Sequence, residues 1–444
     1  MIKFIKSVYL NNRLYFFIAL IVVMFVFGQF FYFFYSLGKV MLWLVIVFTF
    51  IDLVLLYNTE KGIMASRITP DRLSNGDDND ISINIKSNYK NKTYIKIIDE
   101  LPYQFQIRNF LVRSELRPNT EKTFSYKLKP VKRGEYHFGN INVYVSGIIG
   151  LISKRFRFDA SVMVPVYPSY IQMKRFELLA VSNRLTEAGI KKIRRKGHHT
   201  EFDQIREYVT GDDYRTINWK ATARKANLMV NQYQDERSQQ IYNIIDMGRV
   251  MKMPFEGMSL LDYAINASLV ISNIAMLKHD KAGLITFNDK VRTFLTADRK
   301  SSYMIKILEI LYNQKSTFAE SNYELLYATI QSRIRQRSLL LLFTNFESLN
   351  SLNRQIHYMQ RLAKSHLIVA IFFENTEIKK LINTNPENIE DIYTKTIAEK
   401  LEYEKRRIVK ELNKYGIHAI LTEPENLTVN TINKYLELKA LGLI

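Results

Sequence analysis

From Leu14 to Tyr35 the chain reads LYFFIALIVVMFVFGQFFYFFY, 22 residues without a formal charge. A helix apolar on every side suits a bilayer, and at about 1.5 Å per residue this run covers the roughly 30 Å of hydrocarbon. A second run, Val40–Tyr57, follows after only Ser36–Lys39 and contains one acid, Asp52. Eighteen residues is the short end of the spanning range, so the second helix is expected to sit upright. So brief a connection turns the two spans into an antiparallel hairpin with both chain ends on one side. Lys3, Lys6 and Arg13 flank the first span, Lys61, Arg67 and Arg72 follow the second, and only Lys39 lies in the turn. The positive-inside bias therefore places the termini in the cytoplasm. A cleaved signal peptide fits less well, because its apolar region spans about 7–15 residues and ends at a small-residue cleavage site. Asp52, five residues before Tyr57, is expected to reach the inner interface rather than act within the bilayer.

The whole chain has 444 residues, a length that suits two or three folded units. It contains no Cys, which excludes a disulfide scaffold, a thiolate zinc site and a Cys nucleophile. Its formal charge is +20, and the excess is local: residues 61–200 hold 26 basic and 12 acidic side chains. Directly after an anchor, such a segment suits an anionic membrane surface, at about 1 kcal/mol per surface-proximal Lys or Arg. No groove-reading helix, Gly-rich strand pair or zinc finger accompanies it, so nucleic acid is not an expected partner.

Three regions follow residues 1–60. Period-two patterns in ISINIK from Ile81, TYIKII from Thr93, TFSYKL from Thr123, Glu135–Gly147 and Arg155–Pro168 predict an antiparallel β-sandwich over 61–168. Residues 169–236 read as a charged linking lobe. Over 237–444 buried-type strands alternate with helices: Ile241–Asp246, helix Leu260–Lys278, Ala282–Asp289, helices Tyr303–Asn313 and Tyr323–Arg337, then Ser338–Thr344 and His366–Phe373. A charged helix over Ile392–Tyr415 stops at Gly416, His418–Leu421 gives a last strand, and Val429–Leu441 a closing helix. This pattern predicts a doubly wound α/β sheet that binds ligands at the carboxyl ends of its strands, the first at Asp246.

The linking lobe contains the most distinctive stretch, Gly197–Glu236, dense in charge yet punctuated by core-type residues such as Phe202, Ile205 and Trp219. The mixture predicts partly buried ion pairs among Arg206, Asp212, Asp213, Arg215 and Arg224. Gly197, Glu201-Phe202, Arg206-Glu207-Tyr208, Gly211-Asp212-Asp213, Arg215, Ile217, Trp219-Lys220 and Ala223-Arg224 closely resemble, in order, the signature of the bacterial domain-of-unknown-function 58 family. Glu100–Phe105, Lys129–Gly139 and Asn433–Gly442 are also similar to parts of that family. The resemblance implies a multi-pass anchor in the bacterial inner membrane, with cytoplasmic domains that include one similar to the von Willebrand factor type A fold. It also implies an adaptor or co-chaperone acting with a MoxR-type AAA+ ATPase.

Type A domains often hold Mg²⁺ through Asp-x-Ser-x-Ser, a Thr and a further Asp, because Mg²⁺ takes hard oxygen ligands in near-octahedral array. Here Asp246 is followed by Gly248 and Val250 where the serines would stand, Ser321 offers a hydroxyl from a later loop, and Thr344-Asn345 puts Asn where Asp is usual. The expectation is a degenerate adhesion-type edge with weak Mg²⁺ binding at most and no other cofactor. Asp212 and Asp213 read as helix-capping acids ahead of Tyr214–Lys225, more simply than as an acid–base pair. Adjacent His198 and His199 read as solvated, Lys191–Lys196 as an exposed basic strip, and no phosphate-binding Gly loop is present. The expected function is thus a non-enzymatic, membrane-anchored protein-interaction module. The alternatives are a metal-dependent hydrolase using Asp246, Asp212, Asp213 and His198, or a structural protein that organises the envelope.

Overall fold

A computed structural model of the chain describes residues 7–59, 62–181, 186, 189–191, 201–234, 238–386 and 388–443. Lys3, Lys6, Lys61, 192–196, Gly197, His198 and His199 lie outside the described residues. The chain divides into two units, Met1–Tyr167 and Pro168–Ile444.

In the first unit the apolar run Leu14–Tyr35 is not one helix. Helices span Asn12–Gly28 and Tyr32–Tyr57, so the chain turns at Gln29–Phe31, and Ser36–Lys39 lie inside the second helix. The turn falls at Gly28 because a side chain there would meet the Tyr35 Cα at 2.9 Å, and the N–H groups of Gln29 and Phe30 close short bonds to Val26 and Phe27. Gly38 likewise lets the second helix approach the Phe25 ring. The 26-residue helix is long and apolar enough to cross a bilayer, whereas the first, with 17 residues, is shorter. Leu260–Leu277 passes the same test but is a core helix of the second unit, mostly buried.

Beyond the helices, alternation of buried and exposed residues builds mainly antiparallel sheets. A five-stranded sheet, ordered Val8–Leu10, Ile152–Phe158, Ile141–Ser146, Thr93–Asp99, Val112–Leu116, packs on a three-stranded one of Ile63–Ile68, Asn79–Ser87 and Glu121–Leu128. Ile83 and Ile85 meet Ile95, Ile97, Val143 and Val145 in their shared core. A third sheet, Leu73–Ser74, Val162–Tyr167 and Gly134–Phe138, closes a second small core. Asp52 is not at an interface as expected: it is fully buried, and its Oδ2 accepts the N–H groups of Leu151 and Ile152 at 3.0 and 3.1 Å. The buried Lys154 donates to the carbonyl of Leu56 at 3.3 Å, so the end of the second helix is fixed to the sheet by polar bonds.

The second unit is a six-stranded sheet in the order Val291–Asp298, Lys281–Phe287, Gln240–Asp246, Leu339–Phe343, Leu367–Phe373, His418–Thr422. All neighbours are parallel except the edge strand Val291–Asp298, which forms a hairpin with Lys281–Phe287. Half-exposed and polar, that strand lacks the apolar run that marks the others. Parallel strands need both faces covered. Ile241 and Ile245 pack on one face with helices Tyr170–Val181, Leu260–Leu277, Ser301–Tyr312 and Leu427–Ala440. Tyr242 and Ile244 pack on the other with Tyr323–Arg333, Leu349–Ser365 and the long helix Ile389–Lys414. Tyr170–Val181 thus belongs to the α/β unit, not to a separate linker.

Candidate functional site

The central strand Gln240–Asp246 lies between the strands that follow it in sequence, so connections diverge to either side of its carboxyl end and leave a crevice there. Asp246 closes that strand and is only 1% exposed. Its Oδ1 accepts the Gly248 N–H at 2.8 Å and the Ser321 hydroxyl, and its Oδ2 accepts the Thr344 hydroxyl at 2.7 Å. The Tyr323 hydroxyl lies 2.8 Å from that of Thr344. Burial pushes the Asp246 carboxyl above its ordinary range, although these hydrogen bonds oppose the shift, and lifts the Tyr323 phenol well above its own. A cavity of about 280 Å³ opens over the network, walled in part by Arg249, Glu320 and Arg354.

The glycine at 248 has a local reason. A Cβ there would lie 2.2 Å from the Ser321 Oγ, so the missing side chain is what lets Ser321 reach Asp246. The hydroxyl expected two residues after the Asp is replaced in space by one from the loop before Tyr323–Arg333.

Asn345, next to Thr344, faces the other way. Its Oδ1 accepts the Lys405 ammonium at 2.6 Å, delivered from the long helix Ile389–Lys414. Burial holds the Lys405 pKa down at about 8, with Glu347 opposing the shift. Lys405 lines a second, larger cavity of about 490 Å³, whose walls include Phe255, Phe373, Ile378 and Leu401. Asn345 and Glu347 border both cavities.

A Mg²⁺ cradle needs about six oxygens around one ion. Of the expected ligand positions, Asp246 alone is a carboxylate and its oxygens accept from the chain's own donors, while the Asn345 amide oxygen already faces an ammonium. Among the described residues no three His, Asp or Glu side chains converge as a metal cluster. The expected Mg²⁺ ligand set is thus depleted at Gly248, Val250 and Asn345.

The expected edge residues Asp246, Gly248, Ser321 and Thr344 therefore form one network, while Asn345 is turned to Lys405. Tyr323 and Lys405 carried no mark in the sequence; a lysine within a charged helix reads as solvated.

The signature segment is elsewhere in the same unit. Glu201–Glu207 pairs antiparallel with Met229–Gln234, joined through a short turn at Tyr214–Thr216 and the helix Trp219–Lys225. Arg206 forks onto Asp212 at 2.8 and 2.7 Å, and Asp212 also accepts the Val209 N–H; the Arg206 bond is the main reason the Asp212 carboxyl is held low. Asp213 caps the turn by accepting the Arg215 N–H at 3.0 Å, whereas Asn218, not an aspartate, caps the helix. The two carboxylates serve different local donors and do not converge as an acid–base pair. The lobe is also less buried than its aromatic content suggests: Trp219 is 69% exposed, and Tyr214, Val209, Lys220 and Arg224 are exposed with it, while Tyr208 and Arg215 flank them and Gly211 takes a positive φ of 112° at the turn.

Residues 204–414 match the model of the family described as "Protein of unknown function DUF58". The uncharacterized protein YeaD of Bacillus subtilis (strain 168) is 32% identical over 126 residues, 28% of this chain and 31% of that protein. The chain thus matches about a third of that relative's length. Among solved structures, the conserved hypothetical protein BatB from Bacteroides thetaiotaomicron aligns over 46% of this chain and 100% of its own, at 12% identity and a TM-score of 0.33. A PapD-like domain of human CEP192 aligns over 24% of this chain and 87% of its own, at 10% identity and a TM-score of 0.20. Neither structural likeness is close enough to bear on function.

Proposed function

Since residues 204–414 of this chain match the model of the DUF58 family, we propose that the chain is a membrane-anchored interaction module that binds a protein partner and performs no chemistry of its own. The reading rests on Asp246, which is 1% exposed at the carboxyl edge and whose oxygens accept from Gly248, Ser321 and Thr344 of its own chain, so that the carboxylate serves first to tie loops together. What the edge does present is shape: two adjoining cavities and their rims. In this proposal Tyr32–Tyr57, with Asn12–Gly28 beside it, crosses the inner membrane as a hairpin. The exposed Trp43 and Phe50 would then face lipid, and the folded units lie in the cytoplasm. The α/β unit acts as a type A-like domain, and the partner is an AAA+ ATPase of the MoxR type.

The chain's lack of Cys makes the test direct. Single cysteines at Gln29 and at Ser348 in the full chain are expected to react with an impermeant thiol reagent from outside and only after lysis, respectively. A photo-crosslinker at Arg354 is expected to capture an ATPase from native membranes. Labelling of Ser348→Cys in intact cells overturns the orientation. Repeated capture of envelope proteins without an ATPase overturns the partner in favour of a structural organiser, and turnover abolished by Asp246→Asn overturns the non-enzymatic reading.

A further inference from the structure

The long helix Ile389–Lys414 leaves an apolar ridge uncovered. Ile389, Tyr393, Ile397 and Leu401, spaced four apart, are 74%, 69%, 59% and 39% exposed. Side chains at that spacing line one face of a helix. In its second half the same helix behaves as a surface helix should, with Ile408 and Leu412 fully buried against the sheet. The next step of four after Leu401 is Lys405, and both residues wall the 490 Å³ cavity. Ridge and cavity form one apolar track of about 18 Å, from the first turn of the helix to the sheet's carboxyl edge.

The charge around the track is opposite to that of the chain as a whole. The cavity at the end of the track is lined by Glu347, Glu374, Glu377 and Glu402 against only Lys379 and Lys405, in a protein of formal charge +20. Lys379 is held between Glu374 and Glu423 at 2.7 and 3.0 Å, and Lys405 is turned inward to Asn345. The surface met by an approaching molecule is therefore apolar along its centre and acidic at its flanks.

We infer that this track receives an amphipathic helix of the protein partner, its apolar face seated on the ridge, a large side chain entering the cavity, and Lys or Arg at its flanks. An i, i+4 ridge interlocks with the matching stripe of a second helix. The acidic flanks oppose an anionic lipid surface and equally oppose a second copy of the same ridge. The inference deepens the interaction-module reading and rests on it.

The test uses the full chain in nanodiscs of zwitterionic lipid and two fluorescent helical peptides with the same leucine stripe, one flanked by Lys and the other by Glu. The Lys-flanked peptide is expected to bind about tenfold or more tighter, to weaken as salt rises, and to lose about tenfold in affinity for Ile397→Asp. Because Ile397 is exposed, that variant is expected to unfold at the wild-type midpoint. Equal affinities for the two peptides, or unchanged binding to Ile397→Asp, would overturn the inference. So would a dimeric wild-type chain that Ile397→Asp makes monomeric, which would assign the ridge to a second copy. Photo-capture at Arg354 separates the two levels. Partner capture retained undiminished by Ile397→Asp removes this docking track and leaves the module reading intact, whereas no capture by the wild type removes both.

Discussion

Replacing Lys405 with Met removes an ammonium that the α/β unit holds largely out of water. Burial lowers its pKa from the ordinary 10.5 to about 8. Between those values the unfolded chain carries a proton that the folded chain lacks, so stability rises with pH across that window and is lowest below pH 8. At about 1.36 kcal/mol for each tenfold loss of proton affinity on folding, the gain from pH 7 to pH 10 is about 2–3 kcal/mol, steepest near pH 9 at roughly 1 kcal/mol per pH unit. At pH 7 Lys405→Met also leaves the Asn345 oxygen without its donor, a loss of about 1–3 kcal/mol that offsets the relief from desolvation. The difference in stability at one pH is therefore small, and the pH slope is the informative quantity. Urea unfolding of the unit 168–444, whose cores come from its own chain, can be followed by far-ultraviolet circular dichroism at pH 7 and pH 10. Wild type is expected to gain about 2–3 kcal/mol relative to Lys405→Met over that range. Curves that stay parallel within about 0.5 kcal/mol would show that the ammonium is solvated and that the cavity does not enclose it.

Three further substitutions probe other parts of the structure. Arg67 is buried, forks onto Asp99, which also accepts the Tyr126 hydroxyl, and donates to the carbonyls of Ala160 and Gly139. Arg67→Met strands a buried carboxylate and should cost the first unit about 3–5 kcal/mol by thermal unfolding, with a loss under about 1 kcal/mol refuting the pairing. Gly248→Ser forces the Ser321 hydroxyl off Asp246 and is expected to destabilise the α/β unit by about 1–3 kcal/mol in urea; an unchanged midpoint would mean that Ser321 does not need that space. Trp219→Ala removes an exposed indole and should leave stability within about 0.5 kcal/mol in urea, whereas a loss above about 2 kcal/mol would show that the signature lobe packs on that indole.

Local pattern was enough where burial is one-sided and regular. The strand ending at Asp246 and the helices at 260–277, 301–312 and 427–440 were legible because both faces of a parallel sheet must be apolar and their covering helices must repeat at helical spacing. Asp246 could be named in advance because the carboxyl end of a central strand is where connections diverge, whereas Gly248, Ser321 and Thr344 were named only through the resemblance to type A domains. The turn at Gln29–Phe31 was not legible, since a run apolar throughout has no periodicity to break, and only the close approach of Gly28 to Tyr35 fixes the reversal. Nor was the half-exposed strand Val291–Asp298, which has no buried stripe of its own and owes its place to the hairpin with Lys281–Phe287.

Sequence by itself determined the apolar N-terminal segments, the parallel strands and the helices at 260–277, 301–312 and 427–440, because those patterns depend on neighbours within a few residues. Only tertiary structure decided that Asp52 bonds to Leu151 and Ile152, that Lys405 meets Asn345, and that Ile389, Tyr393 and Ile397 stay uncovered. Each of those outcomes depends on what a distant stretch of chain brings into hydrogen-bonding or van der Waals range, and side-chain chemistry read along the chain carries no information about that distance.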